Sequence, residues 1–263
     1  MKSYIPRLFA ALVVSLGLVT LASVAACGSS SASTTGTVVL VHGAWADGSS
    51  WSSVTRVLQA RGLKVVTVQL PRTSLADDAA TVTRAIDAQQ GPVLLVGHSY
   101  GGAVITQAGS INKVAGLVYV SAFAPGDNQS ISDLTSPFPK PAWQAGLVPD
   151  EAGFLTLNTD TYLSSFAPDL PKDTSSVLAT AQGPLNARCL TDKVSQAAWK
   201  SKPSWWVYGD QDKIIPSALQ QAEAKEIGAK ITSIAGASHV ALMSQPAAVA
   251  AVILDAARAT GVL

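Results

Sequence analysis

Residues 96–102 read VGHSYGG, and within them Gly97-His98-Ser99-Tyr100-Gly101 fits the pattern Gly-x-Ser-x-Gly. In that pattern a sharp strand-to-helix turn holds a serine in a strained conformation, with its hydroxyl exposed above a sheet. Five positions with three fixed recur by chance, so the surroundings decide the reading. An apolar strand must precede the turn, a helix must follow it, and groups able to accept the serine proton must lie downstream. Upstream, PVLLVG is a β-branched and aliphatic run ending at Gly97. Downstream, Tyr100-Gly101-Gly102-Ala103-Val104-Ile105 opens a helix whose small residues permit close approach to a sheet. The turn is therefore expected to be an elbow.

Outward from the elbow, short apolar runs alternate with longer helical patterns, the rhythm of an open, doubly wound sheet. Strands are expected at Thr37–Val41, Lys64–Gln69, Pro92–Gly97, Val114–Val120, Ser204–Tyr208 and Lys230–Ile234. Their uniformly apolar character fits parallel strands covered on both faces. Helices are expected at about Ser49–Arg61, Leu75–Gln90, Tyr100–Ser110, Ser217–Ile227 and Pro246–Thr260, with Ser74 as an N-cap and Gly62, Gly91 and Gly228 as C-caps. The fold class is thus α/β, a mostly parallel sheet of about six strands with helices on both faces.

Residues 124–203 break the rhythm. They carry most of the prolines, scattered aromatics (Phe138, Trp143, Phe154, Tyr162, Phe166) and short helical patterns, with no visible set of strands. A structureless loop of that length is improbable. The segment is expected to be an inserted, mainly helical cap over the C-terminal edge of the sheet, where open α/β sheets bind ligands. The core is then 37–123 plus 204–263.

A serine hydroxyl is a poor nucleophile at neutral pH, so it needs a base within reach and a carboxylate to orient that base. The chain has three histidines. His98 adjoins the serine in a tight turn, where neighbouring side chains diverge, and is expected to prop the elbow. His42 ends the first strand and is expected to hold the following loop by backbone hydrogen bonds. By elimination His239, in GASHVALMSQP after the last strand, is the candidate base. In YGDQDKIIP the acid is expected to be Asp212 rather than Asp210, whose role is a turn cap. The order serine, acid, histidine is the chain order of this fold. Charge developing on a carbonyl oxygen needs donors, expected from the N–H groups of Ala44, in the loop after the first strand, and Tyr100. Trp45 and Phe123 are candidate walls of the substrate pocket.

The 263 residues carry 18 basic and 17 acidic side chains and no basic stripe, which leaves a nucleic-acid partner without an electrostatic footprint. At the N-terminus, Lys2 and Arg7 precede LFAALVVSLGLVTLA, and small residues precede Cys27, the layout of an export signal over residues 1–27. Without Lys2 and Arg7 the 18 basic residues fall to 16 against 17 acidic ones. Val24-Ala25-Ala26-Cys27 resembles the lipobox of bacterial lipoprotein signals, although the family more often has leucine where Val24 stands. The resemblance implies lipidation of Cys27, and residues 28–36, rich in Gly and Ser, suit a tether. The alternatives are a signal peptide cut nearby and an uncleaved anchor helix. The expected location is the bacterial cell envelope or the exterior, with membrane contact only through that lipid. Cys189 is expected to be a buried or half-buried free thiol, the competing arrangement being a Cys27–Cys189 disulfide.

VLVHGAWADGSSW, VGHSYGG, GDQDKIIP and GASHVALMSQP, in that order, resemble the α/β-hydrolase superfamily over essentially residues 37–260. The likeness is to the branch of plant methyl esterases, hydroxynitrile lyases and small bacterial hydrolases. It implies the triad Ser99, Asp212 and His239 with oxyanion donors Ala44 and Tyr100. It also implies a sheet that begins at the family's third strand. The lyases have threonine in place of the glycine of the HG loop and lysine after the catalytic histidine, where this chain has Gly43 and Val240. Epoxide hydrolases and haloalkane dehalogenases need an aspartate in place of Ser99. The reading is a serine carboxylesterase acting on a small-molecule ester without metal or organic cofactor. Its alternatives are the same triad acting on a lactone, amide or carbon–carbon bond or in perhydrolysis, and a lipid-anchored binding protein on a retired scaffold.

Overall fold

In the computed structural model, which describes residues 1–2 and 36–263, the apolar runs form one six-stranded parallel sheet. The export signal beyond its first two residues, Cys27 and all of the tether except Gly36 lie outside the described residues. Among the described residues no helix is long and apolar enough to cross a membrane.

The elements before the insertion are β1 (Thr37–Val41), α1 (Ser52–Gln59), β2 (Lys64–Val68), α2 (Leu75–Asp87), β3 (Val93–His98), α3 (Tyr100–Ala108) and β4 (Val114–Val120). Within the insertion come α4 (Ile131–Thr135), β5 (Leu147–Pro149), β6 (Phe154–Leu157), α5 (Thr159–Thr161), α6 (Lys172–Ala181), β7 (Leu185–Asn186) and α7 (Arg188–Thr191). After it come β8 (Ser204–Gly209), α8 (Ser217–Glu226), β9 (Lys230–Ile234), α9 (Ala241–Ser244) and α10 (Pro246–Ala259).

The sheet order is β2-β1-β3-β4-β8-β9. β1, β3 and β8 are buried at every residue, as strands covered on both faces must be, whereas the edge strands β2 and β9 begin with exposed lysines. α1 packs against α10 and α2 against α3, closing the layers. Ser74 caps α2 by accepting the Asp77 N–H, and Gly62, Gly91 and Gly228 take positive φ where the preceding helices end. The helix expected from Ser49 starts instead as a 3-10 turn at Gly48–Trp51, because the Asp47 side chain accepts the Ser49 N–H and tightens the entry.

From β1 the chain moves outward to β2, then returns to the other side of β1 for β3. The strand order therefore reverses between β1 and β3, where open α/β sheets place their ligands. In register, Val41 faces Gly97 across that pair, so the loop after β1 and the turn after β3 emerge side by side.

Residues 36–263 belong to one compact unit that includes the insertion. The insertion contains short helices, a π-helical turn at Tyr162–Phe166 and a three-stranded antiparallel sheet, β5-β6-β7, that the sequence pattern did not reveal. Strands of three, four and two residues are too short to show an alternating pattern. Cys189, on α7, is buried and has no disulfide partner among the described residues, Cys27 lying outside them.

Candidate active site

Ser99 follows the last residue of β3 and precedes the first of α3, at φ 55° and ψ −123°. A non-glycine residue in this region costs on the order of 1–3 kcal/mol and persists only when its surroundings over-determine it. Here they do. The Ser99 N–H donates to the carbonyls of Val120 (3.2 Å) and Ser121 (3.1 Å), and its own carbonyl accepts from Gly102 (2.9 Å) and Phe123 (3.3 Å). Gly101 lets the turn lie on the end of β1, since a Cβ there would sit 2.7 Å from the carbonyl oxygens of Val41 and His42.

The loop after β1 reaches the serine by the same economy of space. A Cβ on Gly43 would lie 2.7 Å from that of Ser99, which excludes the threonine of the lyase pattern without a backbone shift. His42 holds the loop: its Nε2 accepts the Leu70 N–H at 3.0 Å, so Nδ1 carries the proton and donates to the Gly43 carbonyl at 2.8 Å. Burial lowers its pKa to about 4, which keeps the ring neutral as this network requires. The N–H groups of Ala44 and Tyr100 have no protein acceptor among the described residues, and both residues line the same cavity as Ser99. The Tyr100 side chain turns away and donates to buried Asp78 at 2.6 Å. Burial, and then the Asp78 charge, raise its pKa. Cys189 lies beside that carboxylate, and burial pushes its thiol up to about 12, far from a reactive thiolate.

Asp212 and His239 meet at 2.9 Å through Oδ2 and Nδ1, both side chains fully shielded from solvent. The other carboxylate oxygen, Oδ1, accepts the N–H groups of Ile214 (2.8 Å) and Ile215 (2.9 Å). Since the carboxylate accepts, Nδ1 of His239 carries the proton, and Nε2 is left as a buried acceptor with no hydrogen-bond partner among the described residues. His98 donates from Nε2 to the His239 carbonyl at 3.0 Å, with the two rings 4.8 Å apart. Burial holds His98 well below the ordinary histidine range, so it acts as a neutral prop. Asp210 is exposed and accepts the Gly236 N–H at 2.8 Å, on the turn and away from the imidazole.

Above the serine opens a cavity of about 380 Å³, walled by Ala44, Trp45, Tyr100, Phe123, Ile214, Ile215 and Leu219 of the core and by Ile131, Phe138, Trp143 and Leu190 of the insertion. Both tryptophans spend their N–H on backbone: Trp45 donates to the Leu155 carbonyl and Trp143 to that of Ile214, each at 2.9 Å. They therefore offer only hydrocarbon to a ligand. Among the described residues no acidic side chain lines the cavity, and the only charged one is Lys140.

Ser99, Ala44, Tyr100, Trp45 and Phe123 thus share one cavity wall, and Asp212 is paired with His239, while Cys27 lies outside the described residues. Three contacts at this pair were not expected from the sequence. Gln220 donates to Asp212 from α8, Asp169 of the insertion accepts both the N–H and the hydroxyl of Ser238, and the Phe166 ring packs edge-on to that of His239 with centroids 5.2 Å apart. Only a polar residue on the apolar face of a helix hints at the first. The other two arise from chain segments brought together by folding. Among the described residues no three His, Cys, Asp or Glu side chains converge in a metal-ligating group.

The family model described as "Alpha/beta hydrolase family" matches residues 38–252. A carbendazim hydrolyzing esterase of Nocardioides sp. (strain SG-4G) is 31% identical over 166 residues, covering 58% of this chain and 67% of that protein. Among solved structures, a pyrethroid hydrolase from Sphingobium faniae JZ-2 superposes with a TM-score of 0.73 at 21% identity, over 86% of this chain and 98% of its own. Polyneuridine aldehyde esterase superposes with a TM-score of 0.74 at 20% identity, over 84% and 98%.

Proposed function

The chain belongs to the alpha/beta hydrolase family, and on that premise we propose that it is a serine carboxylesterase, with Ser99 as nucleophile, His239 as base and Asp212 as the acid that orients it. One observation carries the reading. A serine held at positive φ faces an apolar cavity, in a fold that also pairs a buried imidazole with a carboxylate and leaves its Nε2 free to accept a proton.

In this mechanism Nε2 of His239 takes the proton of Ser99 Oγ as the oxygen attacks the ester carbonyl. The oxyanion is held by the N–H groups of Ala44 and Tyr100, each donor contributing on the order of 3 kcal/mol. The imidazolium, stabilised by Asp212, returns its proton to the departing alkoxide, and the acyl group stays on Ser99 as an ester. Water then repeats the cycle, giving up its proton to His239 and releasing the acid. Support for an ester as the substrate comes from the names of the esterases to which the chain is similar. Small to medium, uncharged and apolar esters suit the cavity's size and lining.

A p-nitrophenyl ester series from acetate to laurate tests this, with Ser99→Ala as control. Turnover of the short members, absent in the control, is expected. Reaction of Ser99 with a phosphonate but hydrolysis of no ester would move the activity to another acyl bond. No reaction with either would make the protein a ligand carrier on a retired scaffold.

Export and lipidation at Cys27 belong to the same proposal, supported by the lipobox-like ending of residues 1–27. Incorporation of labelled palmitate by the full chain and its loss in Cys27→Ala are expected, and equal labelling of the two would contradict it.

A further inference from the structure

Resting on that reading of Asp212 and His239, we infer that Gln220 is a positioning residue of the acid–base couple. It lies in the first turn of α8 with no solvent exposure. Its amide makes three hydrogen bonds whose polarity fixes its orientation. Nε2 donates to Asp212 Oδ2 and to the Ile215 carbonyl, each at 2.9 Å, while Oε1 accepts from the Trp206 indole at 3.3 Å. A flipped amide would set its oxygen against two acceptors and its NH₂ against a donor. Trp206 is itself fixed, fully buried and stacked on Tyr119 at 5.1 Å.

This anchorage determines two things about Asp212. Oδ1 is held by the backbone of Ile214 and Ile215, and Oδ2 by Gln220, so the carboxylate plane is set by three donors before His239 is counted. The imidazole therefore meets a pre-formed acceptor. Gln220 also shares Oδ2 with His239 Nδ1 and so spreads part of the carboxylate's charge away from the ring. Removing that donor leaves Oδ2 a stronger partner for the imidazolium, and the acidic limb of the pH profile moves to higher pH. By the bond to Ile215, which lines the cavity, the same side chain ties the acid loop to the substrate wall.

The test compares Gln220→Leu and Gln220→Glu with the unchanged chain, reading kcat and KM against pH and the low-field proton resonance of His239 Nδ1–H. For Gln220→Leu, kcat is expected to fall roughly tenfold, a fraction of the 10²–10⁴ that general acid–base catalysis contributes, with KM little changed. Its acidic limb is expected to move to higher pH. Gln220→Glu covers the case in which the leucine variant does not fold. While protonated, its new carboxyl donates to Asp212 and most activity is kept, and once ionised it repels that carboxylate and activity falls. An unchanged kcat, acidic limb and Nδ1–H resonance in a folded variant would overturn the inference and leave Gln220 as packing. The resonance is read without turnover, so it tests Gln220 even if the unchanged chain cleaves no ester. That second failure would instead count against the esterase.

Discussion

The sheet and the insertion contribute to one cavity by different physics. On the sheet side, the polar groups of the site are buried and each is held by several bonds: Asp212 by four donors, Ser99 by four backbone bonds, His42 and His98 by backbone partners. On the other side, β5 and β6 are mostly half-buried or exposed. Their segment meets the core through bonds such as those from the Trp143 indole to the Ile214 carbonyl and from the Trp45 indole to the Leu155 carbonyl. The lesson is a division of labour. The proposed reacting atoms are fixed by a buried network, and the insertion, apart from Asp169 and Phe166 beside His239, supplies a mostly apolar wall whose side chains can vary with less effect on them.

The largest effect should come from breaking the rigid side. Ser99→Ala is expected to lower kcat by about 10⁴-fold or more while KM and the melting temperature hold nearly constant, and His239→Ala to lower kcat comparably. Steady-state kinetics beside calorimetry would show it, and a parallel loss of stability would mean the residues serve the fold instead. Next in size is Gly43→Thr, whose Cβ meets that of Ser99. It should displace the Ala44 donor and cost roughly 10²–10³ in kcat, the measured weight of one oxyanion donor.

A third prediction concerns stability. Glu223, on α8, accepts the Ala124 N–H at Oε2 at 2.6 Å, and its Oε1 is buried without a partner among the described residues. Burial chiefly, with Glu226 on the same helix adding to it, raises its pKa from 4.5 to about 8. Between those values the folded state holds a proton that the unfolded state has released, so stability falls as pH rises through that window, in all by on the order of a few kcal/mol. Glu223→Gln keeps the acceptor and removes the titration, so its melting temperature should decline less from pH 5 to pH 9. Identical pH dependence in both proteins would refute the assignment. His42 has the opposite sign. Its folded pKa of about 4 lies below the ordinary 6.5, so its share of stability is lost as pH falls from 6.5 toward 4.

The smallest effect is expected on the insertion. Phe138→Ala widens the cavity wall and should change KM across an ester chain-length series by a few-fold, with kcat and melting temperature nearly unmoved. A large fall in kcat would erase the contrast between the two sides.

The same contrast governs how much could be read from sequence. β1 and β4 begin and end where their apolar runs do, because a buried parallel strand must be apolar throughout; the largely exposed edge strand β9 also matches its expected bounds, and β2, β3 and β8 differ by a residue at one or both ends. Ser99 was legible because its turn has a steric signature in glycines, and the Asp212–His239 pair because acid and base follow strands in a set order. β5, β6 and β7 were not, being too short to show a period. Gln220 and Asp169 were not either, since their partners lie 8 and 69 residues away and no local pattern announces a tertiary hydrogen bond.

The most direct test of the central claim is intact-protein and peptide mass spectrometry after treatment with a reactive alkyl phosphonate. One adduct per chain on Ser99, abolished in His239→Ala, is the result the buried network predicts. An adduct elsewhere, none at all, or equal labelling without His239 would show that Ser99 is not activated and that the site is not a serine hydrolase centre.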